Sequence, residues 1–262
     1  MIRWLLAALP LLWAWQPQLE WKHPTVLVRF HPETGYTYAA DASGQVTALD
    51  EAGREVAANQ WAWKGRLIDI DALQGGECLL TFEGTFSSVV VDPYLGERLT
   101  IDWADYLPWE VQAVCASRYG WLWIYDAASG RLRRLNRRME VEFESAPLSH
   151  YEAGAAAPTF MRERDGRLYT AIPGSGIWVW DIYGNYLYRL PHLLDGEFWI
   201  DGATLYYPNN GQVWAAPADG GGAQPLTLPG LNTAVEPVRS ITVWNQRLWT
   251  ATDRRLMIWA YD

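Results

Sequence analysis

Two series of strand-like segments run the length of the chain in step, and a shared period restricts the fold more than any other feature of the sequence. In the first series an apolar strand ends in Asp, or a substitute for it, just before a turn. These are VTALD at Asp50, SVVVD at Asp92, LRRLN at Asn136, IWVWD at Asp181, QVWAAP at Pro217 and MIWAYD at Asp262, at intervals of 42, 44, 45, 36 and 45 residues. In the second, a Gly-led or polar turn precedes an apolar strand, aligned on Thr37, Cys78, Leu122, Leu168, Leu205 and Leu248, at intervals of 41, 44, 46, 37 and 43. Both series shorten at the same step, so they mark one unit in six copies. Each copy holds about 41 residues, the size of a four-stranded β-propeller blade. The fourth copy reads as TFMRERD, RLYTAI, GIWVWD and YLYRLP, with DIYGN as the tight turn between its last two strands.

Beyond residue 20 helical periodicity is nearly absent, and short apolar or alternating runs punctuated by Gly, Asp, Asn and Pro recur everywhere. The fold class is therefore all-β, a six-bladed β-propeller with residues 16–262 as one domain. The chain stops after three strands of the sixth copy, while QLEWK at 18–22 precedes the first complete copy. That N-terminal strand is expected to supply the missing fourth strand and close the ring, which satisfies an otherwise open edge. The 17 Trp and 14 Tyr then have a structural task, filling the widening gap between radiating sheets.

A formal charge of −9 argues against nucleic acid and anionic membrane surfaces as partners, since both need a basic face. The opening MIRWLLAALPLLWAW places one Arg before an apolar run, which reads as a signal peptide over residues 1–15 and export of a mature chain not inserted in the membrane. An uncleaved amphipathic anchor is the alternative. Cys78 and Cys115 lie in apolar runs; whether they stay as buried thiols or bridge depends on whether their strands adjoin.

No catalytic constellation is legible. His23, His31, His150 and His192 lack metal-ligand spacing, and no nucleophile elbow or phosphate-cradling loop occurs, so catalytic residues, metal and cofactors are all read as none. Asp69 and Asp71 stand at strand spacing on one face, suited to a calcium or general-acid site but equally to a solvated face or a wet channel; Asp102 and Asp105 form a second pair. Asp50, Asp92 and Asp181 read as turn formers. Arg131, Arg133, Arg134, Arg137 and Arg138 in GRLRRLNRRME read as a solvated outer strand guarding an edge, or as a docking patch for an acidic partner. The inter-blade connections are rich in side chains that anchor interfaces. Trp61 and Trp63, then Trp103, Tyr106 and Trp109, then His150, Tyr151 and Glu152 fall on three consecutive connections, and these eight are the candidate binding residues.

The stretches VQAVCASRYGWLWIYDAASGRLRRLNR, GIWVWDIYGNYLYRLP and RLWTATDRRLMIWAYD resemble a family of exported propeller proteins of Bacteroidota and, more loosely, NHL and YVTN propellers. The resemblance implies fold and export and transfers no catalytic residue; the absence of a sorting domain after Asp262 favours the periplasm or the outer-membrane surface facing it. The expected function is a non-enzymatic scaffold mediating protein–protein interaction in a bacterial envelope complex. The alternatives are a glycan- or small-ligand-binding propeller and a hydrolase or lyase sited in the channel. The discriminator is ionisable groups converging on the channel, which an enzyme needs and which the sequence does not display.

Overall fold

The computed structural model describes residues 15–83, 87–106, 108–194 and 196–261, all in one ring of six antiparallel four-stranded sheets. The first blade runs β2 (Leu27–Phe30), β3 (Thr37–Ala40), β4 (Gln45–Leu49) and β5 (Glu55–Gln60), and the second β6 (Leu67–Ala72), β7 (Cys78–Phe82), β8 (Ser87–Val91) and β9 (Glu97–Asp102). The third holds β10 (Val111–Ala116), β11 (Leu122–Asp126), β12 (Arg131–Leu135) and β13 (Val141–Glu144); the fourth holds β14 (Phe160–Arg164), β15 (Arg167–Ile172), β16 (Gly176–Asp181) and β17 (Tyr186–Leu190). The fifth comprises β18 (Trp199–Asp201), β19 (Thr204–Asn209), β20 (Gln212–Pro217) and β21 (Gln224–Pro225). The sixth has β22 (Val238–Trp244), β23 (Arg247–Thr252) and β24 (Leu256–Tyr261), with β1 (Trp15–Trp21) as its outermost strand. The strands read from the fourth copy are the observed β14 to β17.

Ring closure is as the sequence implies. β1 pairs antiparallel with β24 from Trp15 opposite Tyr261 to Trp21 opposite Leu256. It starts three residues before the expected 18, because Trp15 is itself buried and meets Tyr206 edge-on at 6.3 Å. Leu19 packs toward the first blade's last turn: a Cβ on Gly53, whose φ is +75°, would lie 2.8 Å from Leu19 Cδ2. The expected signal segment lies outside the described residues except for Trp15. Among those residues no helix is long and apolar enough to cross a membrane.

Each blade is buried in its middle strands and exposed at its outer one. β3, β8 and β11 are buried at every residue, whereas β5 and β13 expose most of theirs. Strands with both faces covered need not alternate, which explains WLWIYD and IWVWD. The six apolar clusters correspond to the six seams between blades, for example Tyr38 and Val46 against Ile70 and Leu80, or Val28 and Ala39 against Trp249 and Leu256. Trp123, Trp178, Trp180, Trp249 and Trp259 are fully buried in these seams. Cys78 and Cys115 are buried free thiols in different seams.

The last turn of four blades repeats one device. Asp50 Oδ1 accepts from the amides of Ala52 and Arg54, Asp92 from Tyr94 and Gly96, Asp181 from Tyr183 and Asn185, and Asn136 from Arg138 and Glu140. A short carboxylate or amide at that place satisfies two turn amides, so the Asp series is a turn signal.

The arginine-rich hairpin differs from expectation. β12 is a third strand, not an outer one, and its cations are matched by acids of the same blade: Arg131 with Glu144, Arg133 with Asp126 and Glu144, Arg134 with Glu142. Arg137 meets Glu77 of the second blade, which leaves Arg138 exposed at the turn. The run neither guards an edge nor forms a free basic patch.

Candidate functional site: the axial channel

The first strands of the blades stand round the axis, with β22, β2, β6, β10 and β14 touching in succession. A charged side chain buried at the axis must find a partner there. Arg29 on β2, Asp69 and Asp71 on β6, Arg162 on β14 and Glu197 just before β18 do so. Arg29 Nε donates to Asp69 Oδ1 at 2.7 Å and its Nη2 to Glu197 Oε2 at 2.8 Å, while Nη1 donates to the Val28 carbonyl and to Ser240 Oγ. Arg162 Nη2 donates to Asp69 Oδ2 at 2.8 Å, and Nη1 contacts Asp71 Oδ1. Asp69 thus bridges two guanidiniums from blades on opposite sides of the ring.

Backbone amides complete the arrangement. Asp71 Oδ2 accepts from the amide of Ala116 on β10 at 2.8 Å, and Glu197 Oε1 accepts from that of Ile241 on β22 at 2.8 Å. Glu163, next to Arg162, accepts from Ser117 Oγ, Trp123 Nε1 and the Arg118 amide at 2.7 to 2.8 Å. Both axial guanidiniums also lie over the Trp199 ring, Arg162 at 4.7 Å and Arg29 at 5.5 Å from its centroid. Burial pushes the Asp71 carboxyl up to about 6, with Asp69 adding to the rise and Arg162 and the Ala116 amide opposing it. Burial works against the Arg162 charge, yet Asp69 and Asp71 outweigh it and hold its pKa above the ordinary value.

The sequence expectation that ionisable groups do not converge on the channel is therefore wrong: five do. Asp69 and Asp71 line the axis as one of the readings held, but nearly buried and paired with guanidiniums instead of forming a solvated face. Arg29, Arg162 and Glu197 were missed. The available signal was a charge in the middle of an otherwise apolar first strand, as in TVLVRF and PTFMRER, at the same place in the unit as IDID.

The charge cluster separates two cavities. One, of about 520 Å³, opens on the end of the ring where the inter-blade connections lie; Phe82, Trp103, Val111, Phe160 and Met161 wall it, and Asp69 is among its lining. The other, of about 300 Å³, opens at the opposite end, between the turns that follow the first strands, with Ile70, Leu73, Trp199, Ile200 and Trp244 on its walls and Asp71 and Arg162 at its inner boundary.

The eight candidate binding residues do not form one patch. Trp61 is buried in the seam between the first two blades, near Phe82 at 6.5 Å, and Trp103 is buried in the next seam with its Nε1 donating to Ser88 Oγ at 3.1 Å. Each connection folds back as a short 3-10 turn, and its leading Trp wedges between neighbouring blades. Both are core residues as well as loop residues, which removes Trp103 as a freely replaceable anchor. Tyr106 and Trp109 stack at 6.2 Å and pack partly buried on the same seam. Tyr151 leans on Trp180 at 5.4 Å, with His150 exposed beside it, and Glu152 accepts from Ser175 Oγ and Arg189. Trp63, 68% exposed, lies at the surface with its ring 6.4 Å from that of Trp61 and the Lys64 ammonium over it at 4.4 Å. Among the described residues no three His, Cys, Asp or Glu side chains gather to hold a metal ion.

No protein-family model matches the chain, and no curated protein sequence matches it. Among solved structures it is similar to BamB from Moraxella catarrhalis, with a TM-score of 0.54 and 13% identity over 91% of this chain and 83% of that one. It is also similar to selenomethionine-substituted virginiamycin B lyase from Staphylococcus aureus, with a TM-score of 0.60 and 9% identity over 94% of this chain and 99% of that one. At these identities the likeness shows a shared β-propeller fold, the architecture read from the six-fold repeat.

Proposed function

We propose that the protein is a non-enzymatic β-propeller scaffold of the bacterial envelope, exported and periplasmic or outer-membrane associated, which docks a protein partner on its inter-blade face. The observation that carries this reading is the 520 Å³ cavity on that face, whose walls are mainly apolar with Asp69, Glu83 and Gln112 among them. Ile68 on its rim is 44% exposed, and Trp63, 68% exposed, projects from the neighbouring connection. A cavity walled by aromatic and aliphatic groups accepts an apolar side chain of a partner, and desolvated contacts of that kind dominate interface energies. The paired state of the axial charges supports the non-enzymatic part, because each carboxylate is already bonded to a guanidinium or an amide. The resemblance to exported propellers of Bacteroidota fits a place in the envelope.

A second reading, a lyase or hydrolase in the channel, has one observation in its favour. Asp71, with a pKa raised to about 6, titrates where a general acid is useful, and one fold neighbour bears the name of a lyase. Against it stand the burial of Asp71 and its contact with Arg162. The test is a double variant, Trp63→Ala with Ile68→Arg, used as bait in envelope extract beside the wild type. Loss of a wild-type partner at unchanged melting temperature supports the scaffold; retention of every partner sinks it, as would turnover by purified protein abolished by Asp71→Asn.

A further inference from the structure

The chamber on the inter-blade face is bordered by two connections whose formal charges are of one sign. From 102 to 114 the chain passes Asp102, Asp105 and Glu110 and holds no Lys or Arg, and from 145 to 161 it passes Glu152 and again holds neither. These stretches supply Trp103, Val111, Phe160 and Met161 to the chamber wall. Asp102, Asp105 and Glu110 are exposed, each one or two places along the chain from a wall residue. Asp102 accepts from the Ala104 amide and Glu110 from the Gln112 side chain, both neutral donors, and none of the three enters an ion pair with a described residue. Glu152 differs, since Arg189 bonds it at 3.0 Å.

The other sides of the chamber do not restore the balance. Lys64 and Arg66 lie on the connection between the first two blades, but Arg66 is bonded to Glu83 at 2.6 Å and Lys64 donates to Thr100 Oγ1 at 3.1 Å. The charged side chains of the lining itself are Asp69 and Glu83, with no cation beside them. Behind Asp69 the axial set counts two guanidiniums, Arg29 and Arg162, against three carboxylates, Asp69, Asp71 and Glu197, so the floor adds negative charge. Among the described residues the acids do not gather into a cage for a metal ion. Spread round a mainly apolar opening, they match cations that are themselves spread along a chain, and opposite charge across a contact speeds encounter and selects the partner. We propose that the partner docks a basic segment on this face: an apolar side chain enters the chamber, and lysine or arginine on either side of it meets Asp102, Asp105 and Glu110. This rests on the docking reading above and adds the chemistry of the partner.

Blocked pentapeptides with a central leucine flanked by lysines, by serines or by glutamates serve as probes, with a fourth that has lysines around a central glycine. Binding is followed in protein carrying ¹³C-methyl methionine, with the Met161 signal assigned from its loss in Met161→Leu. At low salt the lysine–leucine peptide is expected to bind saturably, to move the Met161 signal, and to bind about fivefold tighter than the serine one, with the glutamate one weakest. That advantage should fall to about twofold or less at about 1 M salt, where charges are screened beyond about 3 Å. It should fall likewise in the double variant Asp105→Asn with Glu110→Gln. A serine peptide that binds as tightly as the lysine one overturns the basic segment and leaves the docking chamber standing, as does an advantage that survives both high salt and the double variant. The glycine peptide binding as tightly as the leucine one overturns the apolar anchor and the chamber's docking role with it. No saturable binding of any probe also overturns the proposal, and the extract experiment then decides the docking reading alone. The peptide ratios are read on wild-type protein, so they decide even if a variant fails to fold.

Discussion

Replacing Arg162 by Met tests the axial charge cluster directly. The substitution keeps most of the apolar stem beside Phe160 and Trp199 and deletes the guanidinium. Asp69 keeps Arg29, but Asp71 retains only the Ala116 amide. Removing one partner of a buried pair costs about 3–5 kcal/mol, because the remaining charge is stranded in a medium of low polarity. The carboxylate has an escape, since it can take up a proton. Arg162 is what holds the Asp71 pKa down to about 6 against burial, so without it that pKa rises further. Above pH 6 the folded variant then binds a proton that the folded wild type does not, and the deficit grows with pH by up to about 1.4 kcal/mol per unit. For a domain of this size about 1 kcal/mol moves the melting temperature by about 2–4 °C. Melting followed by circular dichroism should therefore show Arg162→Met about 10 °C below wild type at pH 8, with the gap clearly smaller at pH 5.5. Adding Asp71→Asn should recover part of the loss at pH 8, since the stranded charge goes with it. An equal melting temperature at pH 8, or a deficit unchanged between the two pH values, refutes the electrostatic account.

Wild type itself should lose stability as pH rises from about 4 to about 6, because the folded Asp71 titrates near 6 against an ordinary 3.8 and the native state binds more protons between them; calorimetry across that window should show the slope flattened in Asp71→Asn. Trp103→Ala should cost about 3–5 kcal/mol in chemical denaturation as a large core deletion, whereas Trp63→Ala should lie within about 0.5 kcal/mol of wild type. Deleting residues 15–21 uncovers the edge of β24 and should lower the melting temperature sharply, with dimers or aggregates by light scattering; a truncated chain that melts unchanged refutes ring closure by β1. Gly53→Ala, which brings a Cβ to 2.8 Å from Leu19 at φ +75°, should destabilise by about 1 kcal/mol or more; adding Leu19→Ala should relieve the clash and leave the positive-φ strain, so the double variant's cost is smaller than the sum of the two single ones.

The architecture was legible because a propeller writes its plan into local sequence. Four blades carry the same turn former at one place, Asp50, Asp92, Asn136 and Asp181, and the blades share a run of apolar residues in their middle strands, so both signals recur with the blade period. Closure was legible for the same reason, since a strand left over at one end and missing at the other can satisfy both only by pairing. The misreadings share one physical cause. Sequence reveals that Trp61 and Trp103 lie on connections but not that those connections turn back and drive them into the seams. It reveals five arginines in one hairpin, but not that Glu142 and Glu144 on the adjoining strand and Asp126 before it face them.

The axial cluster was hidden for a different reason, and that reason bears on how the channel is read. Its members come from four blades: Arg29 and Asp69 lie 40 residues apart, Arg162 and Asp69 93, and Arg29 and Glu197 168. No motif window joins such positions; only the ring does. A charge at mid-strand in a first strand is nevertheless informative once the fold is known, because Arg29, Asp69 and Arg162 at such positions meet at the axis and are almost wholly buried there. Pairing across the ring then ties non-adjacent blades together, Arg162 reaching over from the fourth to the second and Arg29 from the first to the fifth. Seams between neighbouring sheets resist sliding of one blade on the next, but they do little against opening or flattening of the whole ring. Hydrogen-bonded ions spanning the axis resist that motion, and their bonds are directional enough to fix which blade faces which. The cluster thus does structural work that apolar packing cannot, at the cost of desolvating five charges. It also stands between the two cavities of the channel, with Asp69 on the lining of one and Asp71 and Arg162 on that of the other, so that the two ends of the ring do not share a floor of apolar packing.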